Sequence, residues 1–133
     1  MILVDTSVLI GYFKGAPGLP YKKFDNIIEN NIPFGINNVI YQEVLQGSRT
    51  EKEFDTLKEY LRTVLFYDVR DGNHSYEEAA YMYYKCRKAG VTVRSSVDLI
   101  IARTAIENNL YLLHDDNDFI HIAKVIKDLR LYK

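Results

Sequence analysis

The chain has 133 residues, 47% of them hydrophobic, with 17 basic and 18 acidic side chains, a formal charge of −1, three His and one Cys. This is the size of one domain with its own core, and the composition excludes disorder, fibrous repeats and a polyelectrolyte tail. The lone Cys86 excludes a disulfide framework or a thiolate zinc site and points to the reducing cytoplasm, while no apolar run approaches the roughly 20 residues of a membrane span.

No repeat or linker divides the sequence, so residues 1–133 are expected to form a single domain. Ile2 to Val4 is a short continuous apolar run, as in a strand covered on both faces. Asp5 is placed to cap a helix from Ser7 to Phe13. The turn-rich segment Gly15 to Pro20 separates that helix from another around Tyr21 to Asn30, and a second strand is expected at Pro33 to Ile36. Asn38 is placed to cap a helix running to Gly47, and helix-favouring residues from Thr50 to Arg62 lead into the β-type run Val64 to Tyr67. Asp71-Gly72 turns the chain into a long helix from Ser75 to Lys88, closed by Gly90. Ser95 or Ser96 caps the next helix, which ends near Asn108-Asn109. A strand at Tyr111 to Leu113, a short helix at Phe119 to Ile126 and an edge strand at Leu129 to Tyr132 complete the pattern. Strands alternating with helices predict an α/β fold around a parallel sheet covered on both sides. Ligand sites in such sheets gather beyond the carboxyl ends of the strands.

Acids stand where that rule directs attention. Asp5 follows the first strand, and Thr6 and Ser7 beside it can cap a helix or donate to its carboxylate. Glu43 shares a helix face with Val39, Ile40, Val44 and Gly47, inside the apolar stripe. Alone, it would be read as a stripe-edge residue reaching solvent or pairing with a cation. Asp98 repeats the pattern, with Ile101, Ala102, Ala105 and Ile106 on its face; it is also an ordinary first-turn acid by position. Asp116 and Asp118 lie in the loop after the strand at Tyr111, where one Asp is expected to cap a helix and another to face the cleft. Carboxylates gathered in a partly apolar cleft repel and lose hydration unless a cation neutralises them. An all-oxygen donor set without suitable Cys or His calls for Mg²⁺ or Mn²⁺ rather than zinc.

Other residues carry less chemistry. His114 and His121 flank the acidic loop, and His114 reads as a strand-end residue rather than a ligand. Cys86 reads as a half-buried filler with no His partner for nucleophilic catalysis. The run Ala80-Tyr81-Met82-Tyr83-Tyr84 covers more than one helix face, and reads first as core packing and second as a partner surface. Glycines 11, 15 and 18 fit neither a Walker A loop nor a dinucleotide fingerprint.

The opening Ile2-Leu3-Val4-Asp5-Thr6-Ser7-Val8-Leu9-Ile10, Glu43 in its helix, Ser96-Val97-Asp98-Leu99-Ile100-Ile101-Ala102 and Leu112 to Phe119 occur in order across essentially the whole chain. Together they resemble the PIN-domain ribonucleases, specifically the small VapC-type toxins of toxin–antitoxin pairs. The resemblance implies a three-layer α/β/α sandwich and a pocket of Asp5, Glu43, Asp98 and Asp116. It also implies bound Mg²⁺ or Mn²⁺ held by Asp5, Asp98 and Asp116, with Asp118 as a further or alternative ligand and Thr6 or Ser7 organising the pocket. It further implies a metal-dependent endoribonuclease acting on transfer or ribosomal RNA, a homodimer, and a VapB-type antitoxin that blocks the cleft. Lys14, Lys22, Lys23, Arg49, Lys52 and Arg94 are candidates for the RNA backbone, with Lys14, Arg49 and Arg94 foremost.

Two other function classes compete. A phosphotransfer or phosphatase domain also places an Asp at a strand end beside Mg²⁺, although the phosphatase pattern wants an acid where Ser7 stands. A catalytically silent PIN-like module would use the same acids to hold a partner's Arg residues. Near-neutral charge lacks the basic excess of the commonest nucleic-acid binders. Taking the five pocket acids out of the total of −1 nevertheless leaves +4 on the remaining surface, which suits an acidic cleft with a mildly basic surround.

Overall fold

The computed structural model describes residues 1–133. In chain order the elements are β1 (Ile2–Val4), α1 (Thr6–Phe13), α2 (Leu19–Glu29), β2 (Phe34–Ile36), α3 (Asn38–Gln46), α4 (Glu51–Leu61), β3 (Leu65–Phe66), α5 (Asn73–Lys88), α6 (Ser96–Glu107), β4 (Tyr111–Leu113), α7 (Asn117–Val125) and β5 (Arg130–Leu131). The five strands form one sheet in the order β3-β2-β1-β4-β5, with every pair parallel.

The apolar run of β1 is central for the reason its sequence suggested: Ile2, Leu3 and Val4 are all buried and meet a neighbour on each side. From β1 the chain steps through β2 to β3 in one direction, then returns past β1 to β4 and β5. Right-handed crossovers put α1 to α4 on one face and α5 to α7 on the other. The packing agrees, since α1 contacts α2 and α3, α3 contacts α4, and α5 contacts α6 and α7. The resulting α/β/α sandwich has its reversal of strand order between β1 and β4. A crevice therefore opens beyond their carboxyl ends, where Asp5 and the loop from His114 to Asp116 emerge.

Short polar residues set the helix starts. Asp5, Thr50, Ser95 and Asp116 each accept a bond from a first-turn amide, at Ser7, Glu53, Val97 and Asp118. The cap of α3 is Asn37, one residue before the expected Asn38. Its backbone is extended, its side-chain oxygen accepts from the Ile40 amide at 2.8 Å, and its Nδ2 donates to Thr104 Oγ1 at 3.1 Å, tying α3 to α6. Asp116 likewise starts α7 at Asn117, ahead of the expected Phe119. Gly90, at φ +81°, closes the loop after α5 as expected. At Gly35 a Cβ would stand 2.6 Å from the Leu65 carbonyl and the Tyr67 ring, so only glycine lets β2 and β3 pair this closely.

Two expectations need correction. The aromatic run on α5 is not core: Tyr81, Tyr83 and Tyr84 are exposed, and Met82 is its only buried member. The buried stripe of α5 is instead Ser75, Ala79, Met82 and Cys86, so Cys86 is fully buried rather than half-buried. No helix is long and apolar enough to cross a membrane.

Candidate metal centre

Three carboxylates from two elements converge at the crevice. Asp98, in the first turn of α6, and Asp116 and Asp118, at the start of α7, offer oxygens that all lie within 4.8 Å of one another. No protein donor reaches the Asp98 carboxylate. Burial pushes its pKa up to about 7, with like-charge repulsion from Asp5, then Asp116, Asp118 and Glu43 adding to it. The order of those repulsions shows that all five expected acids share one electrostatic pocket.

Asp5 belongs to the pocket without being one of the tight triple. It is buried, and burial raises its pKa against the opposing effect of two Ser7 bonds, from the amide at 3.1 Å and the hydroxyl at 2.6 Å. Ser7 Oγ in turn accepts from the Asp115 amide at 2.9 Å. One hydroxyl therefore fastens the loop after β1 to the loop after β4, while fixing the Asp5 carboxylate. Thr6 does a similar service for Glu43, donating from Oγ1 to Oε1 at 2.7 Å. Glu43 thus faces the pocket, and no Lys or Arg pairs with it.

Asp115 is set apart from its neighbours, because its carboxylate accepts from the Tyr21 hydroxyl of α2. His114 is also turned to structure: its Nδ1 accepts from the Asp116 amide at 3.1 Å, and burial lowers its pKa, so the neutral ring holds the loop. Neither residue joins the carboxylate triple. Lys14 and Arg49 are exposed away from it, Lys14 lining a groove with Lys52 between α1, α3 and α4.

Arg94 behaves differently from the other basic candidates. Its Nε donates to Asp118 Oδ2 at 3.0 Å and its other guanidinium nitrogen to Oδ1 at 3.2 Å, a two-point fork; that nitrogen also stands 3.9 Å from Asp116. The side chain remains 73% exposed, so it closes one rim of the site without sealing it. Sequence reading had placed Arg94 near the loops but carried no signal for this fork, since 24 residues separate the partners. The Ser7–Asp115 fastening and the Tyr21–Asp115 bond were missed for the same reason.

Hard carboxylate oxygens, short of protein donors and crowded enough to raise the Asp98 pKa, fit a hard divalent ion. A cation there would offset the repulsion that the triple otherwise carries.

Comparison with known proteins agrees with this geometry. A family model for the PIN domain matches residues 2–125. Ribonuclease VapC11 of Mycobacterium tuberculosis is 30% identical over 126 residues, covering 94% of this chain and 93% of the relative. The VapC ribonuclease Mb1587 of Mycobacterium bovis shows the same identity and coverage. Among solved structures, VapBC2 from Rickettsia felis bound to a promoter DNA fragment superposes with a TM-score of 0.75 at 17% identity, covering 99% of this chain and 98% of that one. VapBC-1 from nontypeable Haemophilus influenzae gives 0.71 at 20% identity, covering 100% and 98%.

Proposed function

We propose, from the premise that the chain belongs to the PIN domain family, that it is a divalent-metal-dependent endoribonuclease and the toxin of a type II toxin–antitoxin pair. The observation that carries this reading is the triple of Asp98, Asp116 and Asp118 at the crevice between β1 and β4, with Asp98 pushed up to about 7. Asp98 and Asp116 hold the ion, Mg²⁺ or Mn²⁺, with Asp5 alongside and Asp118 shared with Arg94. When bound, the ion supplies a more acidic water and charge neutralisation at the phosphodiester.

The chain's own residues do the rest. Ser7 fixes Asp5, and Thr6 fixes one Glu43 oxygen, leaving the other open to accept a proton from the attacking water. Arg94 holds Asp118 while its exposed guanidinium edge faces the solvent side of the pocket, where a phosphate oxygen can meet it. Lys14 and Arg49 lie farther out as backbone contacts. A phosphatase would want an acid at position 7; here the Ser7 hydroxyl is committed to Asp5 and Asp115, which leaves the hydrolytic nuclease as the better fit. Its partners are RNA, of the transfer or ribosomal kind, a VapB-type antitoxin seated over the acids, and a second copy of itself in the cytoplasm.

The test is cleavage of a panel of structured and single-stranded RNAs. Cutting should require Mg²⁺ or Mn²⁺, stop with EDTA, and fall in Asp5→Asn and Asp98→Asn proteins by more than the roughly 10- to 100-fold loss that follows from removing an outer partner of a metal ligand. Folded variants that cut as well as the parent would overturn the site.

A further inference from the structure

Helix α5 carries a second apolar stripe that its own fold leaves uncovered. The buried stripe, Ser75, Ala79, Met82 and Cys86, advances by four, three and four residues. One residue on, Tyr76, Ala80, Tyr83 and Arg87 repeat the same steps. Tyr76 is 55% exposed and Tyr83 37%, and with Ala80 they border a groove of about 480 Å³ floored by Val97, Leu99 and Ile100 of α6. Exposed tyrosines around a small residue, over an aliphatic floor, have the composition of an interface centre rather than of a solvated helix face.

Both the spacing and the charge identify the occupant. Steps of four, three and four read the same in either direction, about a point midway between Tyr81 and Met82. Turning a second α5 end for end across a two-fold axis at that point sets Tyr83 of each copy over Ala80 of the other, and Arg87 against Tyr76. Arg87 already lies 5.4 Å from the Tyr83 ring, so its guanidinium is on this face. The charges of the helix are polar along its axis, with Glu77 and Glu78 in the first half and Lys85, Arg87 and Lys88 in the last turn. A parallel pairing would set like charges together; an antiparallel one sets Glu77 toward Lys88 of the second copy.

We propose that the α5–α6 groove is the self-docking face of this protein, with two α5 helices packed antiparallel and Tyr83 of each copy seated over Ala80 of the other. The proposal deepens the pairing named under Proposed function, by giving it a face, a register and an orientation. Val97 immediately precedes Asp98, so the docked face abuts the first turn that carries the metal-site carboxylate.

Sedimentation velocity on the full chain, over a micromolar concentration series, tests it. The parent should be dimeric, and Ala80→Arg and Tyr83→Glu should each raise the dissociation constant by about tenfold or more while circular dichroism stays unchanged. Tyr81→Glu, on the outward side of α5, should leave it unaltered. Lys88→Glu should weaken pairing, and adding Glu77→Lys to it should restore pairing, a rescue that damage to folding cannot imitate. A monomeric parent, an unaffected Ala80→Arg and Tyr83→Glu pair, or failure of the charge exchange would each overturn the proposal. RNA cleavage is read separately, so loss of pairing with cleavage retained rejects this face alone, whereas pairing without any cleavage rejects the ribonuclease reading alone.

Discussion

The two ends of α6 solve the problem of a carboxylate away from water in opposite ways. At its last turn Glu107, with a side chain only 9% exposed, accepts from the Arg70 amide at 2.6 Å, Ser75 Oγ at 2.9 Å and Arg103 Nε at 2.7 Å. Burial alone would raise its pKa, but these donors outweigh burial and hold it below the ordinary value. At the first turn Asp98 has no protein donor and four acidic neighbours, and its pKa rises to about 7. A carboxylate serving structure arrives with its partners; one serving a ligand is left short of them. Two acids nine residues apart on one helix are thus distinguished by what the rest of the chain brings to them.

Breaking the satisfied end should have the largest effect on stability. Glu107→Ala strands the Arg103 guanidinium and two other donors, and chemical denaturation should show a loss of about 3 kcal/mol, while activity per folded molecule is retained. Breaking the unsatisfied end should do the reverse. Without metal, Asp98→Asn should stabilise the protein at pH 8 by on the order of 1 kcal/mol, screened because the pocket is open to water.

The same contrast has a pH signature with opposite signs at the two ends. The folded pKa of Asp98, about 7, lies above its ordinary 3.8, so between these values the folded state binds more protons than the unfolded one. Its contribution to stability is therefore lost as pH rises from about 4 to about 7. Glu107 is lowered from 4.5, so its contribution is present above that value and lost as pH falls through the folded pKa. Melting of the metal-free protein should accordingly weaken between pH 5 and 8 and flatten in Asp98→Asn, and added Mn²⁺ should raise the parent's Tm more at pH 8 than at pH 5.5. The smallest effect is expected at Arg94. Removing its positive charge in Arg94→Gln should tighten Mn²⁺ binding by no more than about fivefold in calorimetry, as befits an exposed ion pair.

Much of this was legible in one dimension. The apolar run of β1, the caps at Asp5, Thr50 and Ser95, and the inward-facing positions of Glu43 and Asp98 follow from local periodicity and capping chemistry, which act over a few residues. The acid-rich loop after β4 was legible as a site, but not the division of labour within it. Asp115 goes to Tyr21 over a separation of 94 residues, Asp118 goes to Arg94, and Asp116 stays with Asp98. The tyrosines of α5 were ambiguous for the same reason, because a helix that is apolar on two stripes does not reveal which one its own sheet will cover.

Sequence alone determined the elements, the parallel order implied by their alternation, and the set of acids from which a metal site could be assembled, because propensity and hydrophobic period are local properties. Tertiary structure decided which carboxylates meet, which are neutralised by Arg94 or Tyr21, and which apolar face remains open. Those outcomes depend on desolvation and charge brought together by strand order, and the strand order joins segments that lie a hundred residues apart.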